Sequence, residues 1–385
     1  MENKSSVGIT QEKPAAPPPE ESGNTPKKKK IHKKTLWKRI LLCLGSFLLY
    51  VLVVAVVACQ LLLNGPSITM RNALVLSAKQ ASATKWLPGL FLSEETIAQI
   101  EKDSLTIKYD VVSMDALSPS VENEKDEWAE AKDGILLKIV KKSTFKGYLL
   151  MIRDPSRVYV GTSSDYRSGK EGARIFDIVE REGAVCAING GEFPDEGGVG
   201  NGATPIGITY SRGELVFSGH TNRTFMGFTD ENKLVVSEGM TKARAEELGI
   251  RDGVCFQTGN SLITNDGKNV TLHYADGNTG RSQRTAIGQR ADGTVLMLVT
   301  DGRTASSLGA THNELIDVML ENGAVAAGKL DGGSSAMMYY RNYFELYGYN
   351  YDKLDEFQRQ GMVNSYKAFT DPRKLPTYFL VGEAK

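Results

Sequence analysis

Four short blocks gather groups that could bind or transform a phosphorylated, hydroxyl-rich substrate. They are Asn189-Gly190-Gly191-Glu192-Phe193, Arg284-Thr285-Ala286-Ile287-Gly288, Val299-Thr300-Asp301-Gly302-Arg303 and Leu330-Asp331-Gly332-Gly333-Ser334-Ser335. Arginine presents a planar, permanently charged fork suited to phosphate. A carboxylate beside it can act as acid, base or nucleophile at a sugar anomeric carbon. Paired glycines let a backbone pass close to a ligand and offer N–H groups to an anion. The candidate chemistry set is therefore Asn189, Asp301 and Asp331. Arg284, Arg303, Gly190, Gly191, Gly332, Gly333 and Ser334 form the candidate binding set. Taken singly, Asp-Gly and Asn-Gly are ordinary turn signals, and Arg284 could equally serve a structural ion pair.

These blocks need strand ends to carry them. Residues 175–191 and 315–333 echo one another: an amphipathic helix, then Gly-Ala-Val, then a short apolar strand, then a polar residue and Gly-Gly. Ile175, Ile178 and Val179 share one helical face, as do Leu315, Val318 and Met319. Gly183 and Gly323 suit the position that ends each helix, and Thr311 with Glu314 makes a capping box that starts the second. Strands are expected at 135–140, 147–152, 157–161, 205–210, 214–217, 224–228, 284–289 and 294–300, with Arg212-Gly213 and Asp292-Gly293 as hairpin turns. Helices are expected near 170–182, 241–248 and 311–322. The fold class is α+β, mixed and strand-rich.

The rest of the chain sets the context. Lysine and arginine total 46, as do aspartate and glutamate, but residues 1–39 carry ten basic against four acidic side chains, so +6 there faces −6 elsewhere. A folded part that is net acidic argues against a nucleic-acid partner. Residues 1–26 are rich in Pro, Glu, Ser and Asn and are expected to be disordered. After a basic cluster, Ile40 to Leu63 runs 24 residues without a formal charge. About 20 apolar residues span a bilayer as a helix. The flanking charges place residues 1–39 in the cytoplasm and the C-terminal part outside the cell membrane. Cys59 sits in a lipobox-like setting, yet three more leucines continue the span, which favours an uncleaved anchor. Residues 64–133 are then a membrane-proximal stalk, with a helix capped by Ser93, and 134–385 the main domain. Cys186 and Cys255 are expected to be buried free thiols, and no His/Cys spacing suggests zinc. Asp195-Glu196 and Asp276-Gly277-Asn278 are the loops that could hold a divalent cation such as calcium, though solvated turns explain them as well.

Over roughly residues 134–383, the four blocks in this order resemble the phosphodiester glycosidase domain family. That family includes the enzyme that uncovers mannose 6-phosphate by removing N-acetylglucosamine, and bacterial envelope or exopolysaccharide-associated proteins. The resemblance implies a strand-rich α+β domain that hydrolyses a sugar-1-phosphodiester between the anomeric carbon and the bridging oxygen. It implies Arg284 and Arg303 on the phosphate and Asp301 and Asp331 at the oxocarbenium-like centre or the attacking water. It further implies Asn189 on sugar or phosphate and the Gly-Gly amides around the anion. A sugar-phosphate polymer or glycan of the envelope would be the substrate. The family usually has an aromatic residue directly after its Asn-Gly-Gly; here Glu192, expected to be a solvated loop residue, precedes Phe193. Two rivals remain in view: a non-catalytic module that binds wall polymer, and a phosphodiesterase that cleaves the P–O bond.

Overall fold

The structure, a computed structural model, describes residues 33–80, 84–104, 106–114, 127–164, 166, 170–196, 200–275, 279–304, 307–366 and 371–384. The expectation of disorder for residues 1–26 lies outside this set. The chain divides into two units, residues 1–57 and 58–385. Helix α1 (Lys33–Asn64) includes Trp37–Asn64, which is long and apolar enough to cross a bilayer and is not buried by protein. This one candidate span is consistent with a single-pass membrane protein.

Helices α2 (Ile68–Lys79) and α3 (Glu94–Ser104) begin on serine caps: Ser67 accepts from the Met70 amide at 3.3 Å and Ser93 from Thr96 at 3.2 Å. Val75 and Leu76 of α2 close over Ile97 and Ile100 of α3, giving this segment a small core of its own.

Three antiparallel sheets make the main domain. The largest has the spatial order β1 (Ile107–Ser113), β12 (Asn269–Ala275), β11 (Ser261–Asn265), β15 (Ala324–Lys329), β13 (Thr285–Arg290), β14 (Val295–Thr300), β3 (Lys146–Ile152) and β2 (Ile135–Lys141). The second runs β7 (Glu214–Phe217), β6 (Thr209–Ser211), β10 (Ile250–Phe256), β8 (Thr224–Thr229) and β9 (Leu234–Glu238). The third runs β16 (Met338–Tyr340), β5 (Cys186–Asn189), β17 (Thr377–Val381) and β4 (Val158–Thr162).

Apolar side chains from all three sheets meet in one core, including Leu150, Met297, Phe228, Ile188 and Phe379. The opposite face of the largest sheet buries Leu315, Ile316, Val318 and Met319 of helix α6 (His312–Glu321). The opposite face of the third sheet buries Ile175, Ile178 and Val179 of α4 (Ile175–Glu182). Helix α5 (Lys242–Glu247) packs beside β10. The two echoing helix–strand units therefore exist, α4 with β5 and α6 with β15, each laying one apolar helical face on a different sheet. Gly183 adopts φ +62° where α4 ends.

The expected boundary at residue 134 cuts through the largest sheet. Strand β1 lies inside the expected stalk, yet all seven of its residues pair with β12. Its side chains are mostly exposed on both faces, so the apolar alternation that marks a half-buried strand is weak there. The 205–210 expectation shrinks to β6 at 209–211. Cys186 and Cys255 are buried and free.

Glu127, in the expected stalk, is also tied to the sheet. It takes both Nη atoms of buried Arg290 at 2.8 and 2.9 Å and the amine of Lys138. Bonding to Arg290 holds its carboxyl down at about 2 despite burial. A depressed folded value contributes stability above the unfolded value that is lost as pH falls. Glu127→Gln should lower stability at pH 7 by about 1–2 kcal/mol, discounted for partial solvent access, and the difference should fade by about pH 2 in denaturant titrations.

Candidate active site

All four sequence blocks meet, and Asn189 is where they join. At the end of β5 its Oδ1 accepts from Thr285 Oγ1 at 2.7 Å and from the Met337 amide at 3.2 Å, while Nδ2 donates to the Asp331 carbonyl at 2.8 Å. The Asp331 amide returns a bond to Gly190 O at 3.3 Å, and Leu330 N donates to Thr285 O at 2.9 Å. Thr300 Oγ1 accepts from Arg284 N at 3.0 Å, and Gln283 O accepts from Gly333 N at 2.9 Å.

This crossing uses up groups expected to face a ligand. Asn189 is fully buried, so it holds the Asp331 loop rather than reaching outward. The Gly190 amide donates to Thr377 O and the Gly191 amide to Thr377 Oγ1 at 3.0 Å. A Cβ on Gly191 would lie 2.3 Å from Cys255 O. The first glycine pair thus permits strands to approach one another, and its amides form no anion cradle. Gly332 N is likewise taken, by Asp331 Oδ1 at 2.8 Å.

The two aspartates differ in access. Asp301 is 2% exposed; Oδ1 accepts from Ser365 N at 2.8 Å, and Oδ2 from Ser365 Oγ at 3.2 Å and Tyr148 OH at 3.4 Å. Burial raises its carboxyl above the ordinary range, with those hydrogen bonds and Lys146 opposing. Asp331 is partly open to solvent, two residues beyond β15. Burial raises it to about 6, against the pull of Ser335, the Gly332 amide and Arg373, with Asp195 pushing the same way as burial. Ser335 Oγ is buried beside it without a well-formed hydrogen bond.

Arg284 and Arg303 lie close enough for each charge to affect the other, on the α2 side of this crossing. Arg284 is 5% exposed and donates to Ala310 O (3.1 Å), Thr279 O (3.2 Å), Gly280 O (3.0 Å) and Gln80 Oε1 (3.4 Å). Burial, reinforced by Arg303, lowers it to about 10. Arg303 donates to Ser77 O and to Arg281 O at 3.0 Å. The end of α2 and the residue after it therefore sit on both guanidiniums. Among the described residues neither arginine has a carboxylate partner.

Sequence reasoning missed the groups around Ser334 and Asp331. Arg373 makes a two-pronged pair with Asp195 at 2.6 and 2.7 Å, donates to Ser334 Oγ at 3.3 Å and stacks on Phe193 at 4.9 Å. Tyr366 OH donates to Ser334 O at 2.8 Å, so Ser365 and Tyr366 link the Asp301 and Asp331 blocks. Asp195, weighed as a calcium ligand, is instead engaged by Arg373. Asp276-Gly277-Asn278 lies outside the described residues. Among the described residues no group of three or more His, Cys, Asp or Glu side chains is arranged for a metal ion. Glu192 is not the solvated residue expected: its side chain is 13% exposed and contacts Arg223 at 3.0 Å, with burial raising its carboxyl. A surface recess of about 300 Å³ lined by Lys142, Ser143, Glu314, Asp317, Leu320 and Glu321 contains none of the candidate residues.

Removing the shared carboxamide should be costly, because it leaves Thr285, Met337 and the Asp331 carbonyl unpaired. Asn189→Ala is expected to lower stability by about 2–4 kcal/mol in denaturant unfolding.

The fold has counterparts among known proteins. The catalytic domain of zebrafish N-acetylglucosamine-1-phosphodiester alpha-N-acetylglucosaminidase, described as auto-inhibited by its pro-peptide, shares the fold with TM-score 0.50 at 16% identity, covering 72% of this chain and 88% of that one. The SPbeta prophage-derived uncharacterized protein YomE of Bacillus subtilis (strain 168) is 29% identical over 189 residues, 48% of this chain and 27% of that protein. The chain thus spans about a quarter of the length of this curated relative. Residues 182–382, which hold all four blocks, match phosphodiester glycosidase, and the chain belongs to that family.

Proposed function

We propose that this protein is a membrane-anchored, extracytoplasmic hydrolase that cleaves the glycosidic bond of a sugar-1-phosphodiester in an envelope polysaccharide or wall polymer. The observation that carries the reading is Asp331, a residue partly open to solvent whose carboxyl is raised by burial to about 6 and is fixed where the four family blocks cross. A group titrating there is ionised at neutral pH and still basic enough to take a proton from water. The step assigned to it is attack by that water on the anomeric carbon. The new C–O bond forms as the bond to the bridging oxygen breaks, Asp331 takes the water proton, and the phosphomonoester leaves as an anion. That leaving group needs neutralisation more than protonation, the role given to Arg284 and Arg303. Asp301, closed in by Ser365 and Tyr148, supports the field at the centre and positions its loop. Asn189 acts by holding the Asp331 backbone.

Gln80 and Ser77 occupy the two arginines, so the substrate phosphate has to displace the end of α2. In this reading Gln80→Ala should raise kcat/KM several-fold while leaving the pH profile unchanged.

Full-length protein in detergent, given a panel of α-sugar-1-phosphodiesters starting with N-acetylglucosamine, should release free sugar and a phosphomonoester detectable by mass spectrometry. Sugar 1-phosphate would instead mean P–O cleavage, and binding of envelope polymer without turnover would mean a scaffold. Asp331→Asn should lower turnover by at least about a hundredfold. Because the base must be ionised, kcat/KM should rise with pH through about 6, and that limb should vanish in Asp331→Asn.

A further inference from the structure

Lys329 is the last residue of β15 and is 9% exposed, two positions before Asp331. It pairs across the sheet with Ala286, so its side chain leaves the same face that Arg284 uses two positions earlier on that strand's extension. Its Nζ lies 5.5 Å from the centre of the Phe256 ring. It makes no ion pair and no side-chain hydrogen bond among the described residues. The charges near enough to act on it are Arg284, which repels it, and Asp331, which attracts it. His312, at the start of α6, is the other titratable group in reach; it is buried, donates from Nε2 to the His273 carbonyl at 2.9 Å, and is held down to about 3, hence neutral.

A buried ammonium without a counter-charge is unfavourable, and a second buried cation nearby makes it more so. Arg284 is that second cation, and its hydrogen bonds go to carbonyl and amide oxygens, which satisfy its N–H groups but do not cancel its charge. The carboxylate that acts on Lys329, Asp331, is itself biased toward its neutral form, and the one that acts on Arg284, Glu314, is already paired with Arg281. The end of β15 and the neighbouring Arg284 therefore hold more positive than negative charge, beside the carboxylate assigned to water. An apolar side chain would fill the strand end at less cost, and an anion would complete the arrangement.

We propose that Lys329 and Arg284 together form the subsite that takes the phosphoryl oxygens of the diester, and of the phosphomonoester formed from it. This rests on the proposed reaction for the identity of the anion and adds a residue outside the four family blocks to its recognition. The long 3.4 Å contact from Arg284 to Gln80 is the weakest bond that guanidinium makes and the one the phosphate would replace.

The test needs no turnover. Thermal unfolding of the full chain in detergent is followed against inorganic phosphate, with chloride at matched ionic strength as control. The wild type should show a saturable rise in midpoint with phosphate and none with chloride. Lys329→Met should keep or exceed the phosphate-free midpoint, since it removes an uncompensated charge, and should weaken the phosphate dissociation constant at least tenfold. Lys329→Gln, which keeps polarity without charge, should weaken it similarly and serves if the methionine variant does not fold. No phosphate response in the wild type, or an equal response in the variants, would overturn the subsite. Phosphate binding that depends on Lys329 in a protein releasing no sugar would sink the glycosidase reading and leave the subsite standing. Sugar release with unaltered phosphate binding in the variants would do the reverse.

Discussion

The site depends on one buried carboxamide. Asn189 ends the strand of one helix–strand unit and bonds to the backbone just beyond the strand of the other, while its oxygen collects Thr285 and Met337. An unpaired polar group in that position would be expensive, so each partner is held by the cost of leaving the others unsatisfied. Two sheets that pack separate helices are thereby locked at a single point. The Asp331 loop and the Arg284 strand bond to it directly, and the Thr300 strand joins through the Arg284 amide.

Much of this was legible in the sequence because short polar blocks after apolar runs mark strand ends, and strand ends are where loops can converge. The repeated helix, Gly-Ala-Val and Gly-Gly pattern gave both units and the faces their helices bury. The individual roles were less legible. A glycine pair reads the same whether it admits a ligand or another strand; only the nearness of Thr377 and Cys255 decides, and both are far away in sequence. Strand β1 was hidden because Lys108, Tyr109, Asp110 and Val111 are all exposed, leaving no periodic face to detect. Arg373 and Asp195 are separated by 178 residues, so their pairing leaves no local trace. Lys329 ends an alanine-rich strand and reads there as an ordinary solvated terminus; its burial comes from Phe256 and the neighbouring sheet edge.

The electrostatics around the crossing are lopsided in an informative way. Buried Arg157 gives its N–H groups to the Gly382 and Asp133 carbonyls, but three other cations have carboxylate partners: buried Arg290 has Glu127, and half-buried Arg281 and Arg373 have Glu314 and Asp195. Arg284 and Lys329 do not, although both are more than nine-tenths buried. Desolvation depresses these two cations and raises Asp331, so all three are drawn toward neutrality by the same low-dielectric surroundings. An anionic phosphate arriving there would restore charge to the basic pair and displace water at the same time.

The Gly190–Gly191 contact with β17 and β10 also separates two kinds of change. Backbone crossings at Thr377 and Cys255 tolerate no side chain, so that part of the framework is frozen. Arg373 and Tyr366 hang from the surrounding loops and meet the Asp331 loop at Ser334 through their tips. Loop residues of this kind can be exchanged without disturbing the knot beneath them. Proteins built on this crossing can therefore diverge in the sugar they accept while keeping one common way of presenting a carboxylate to water.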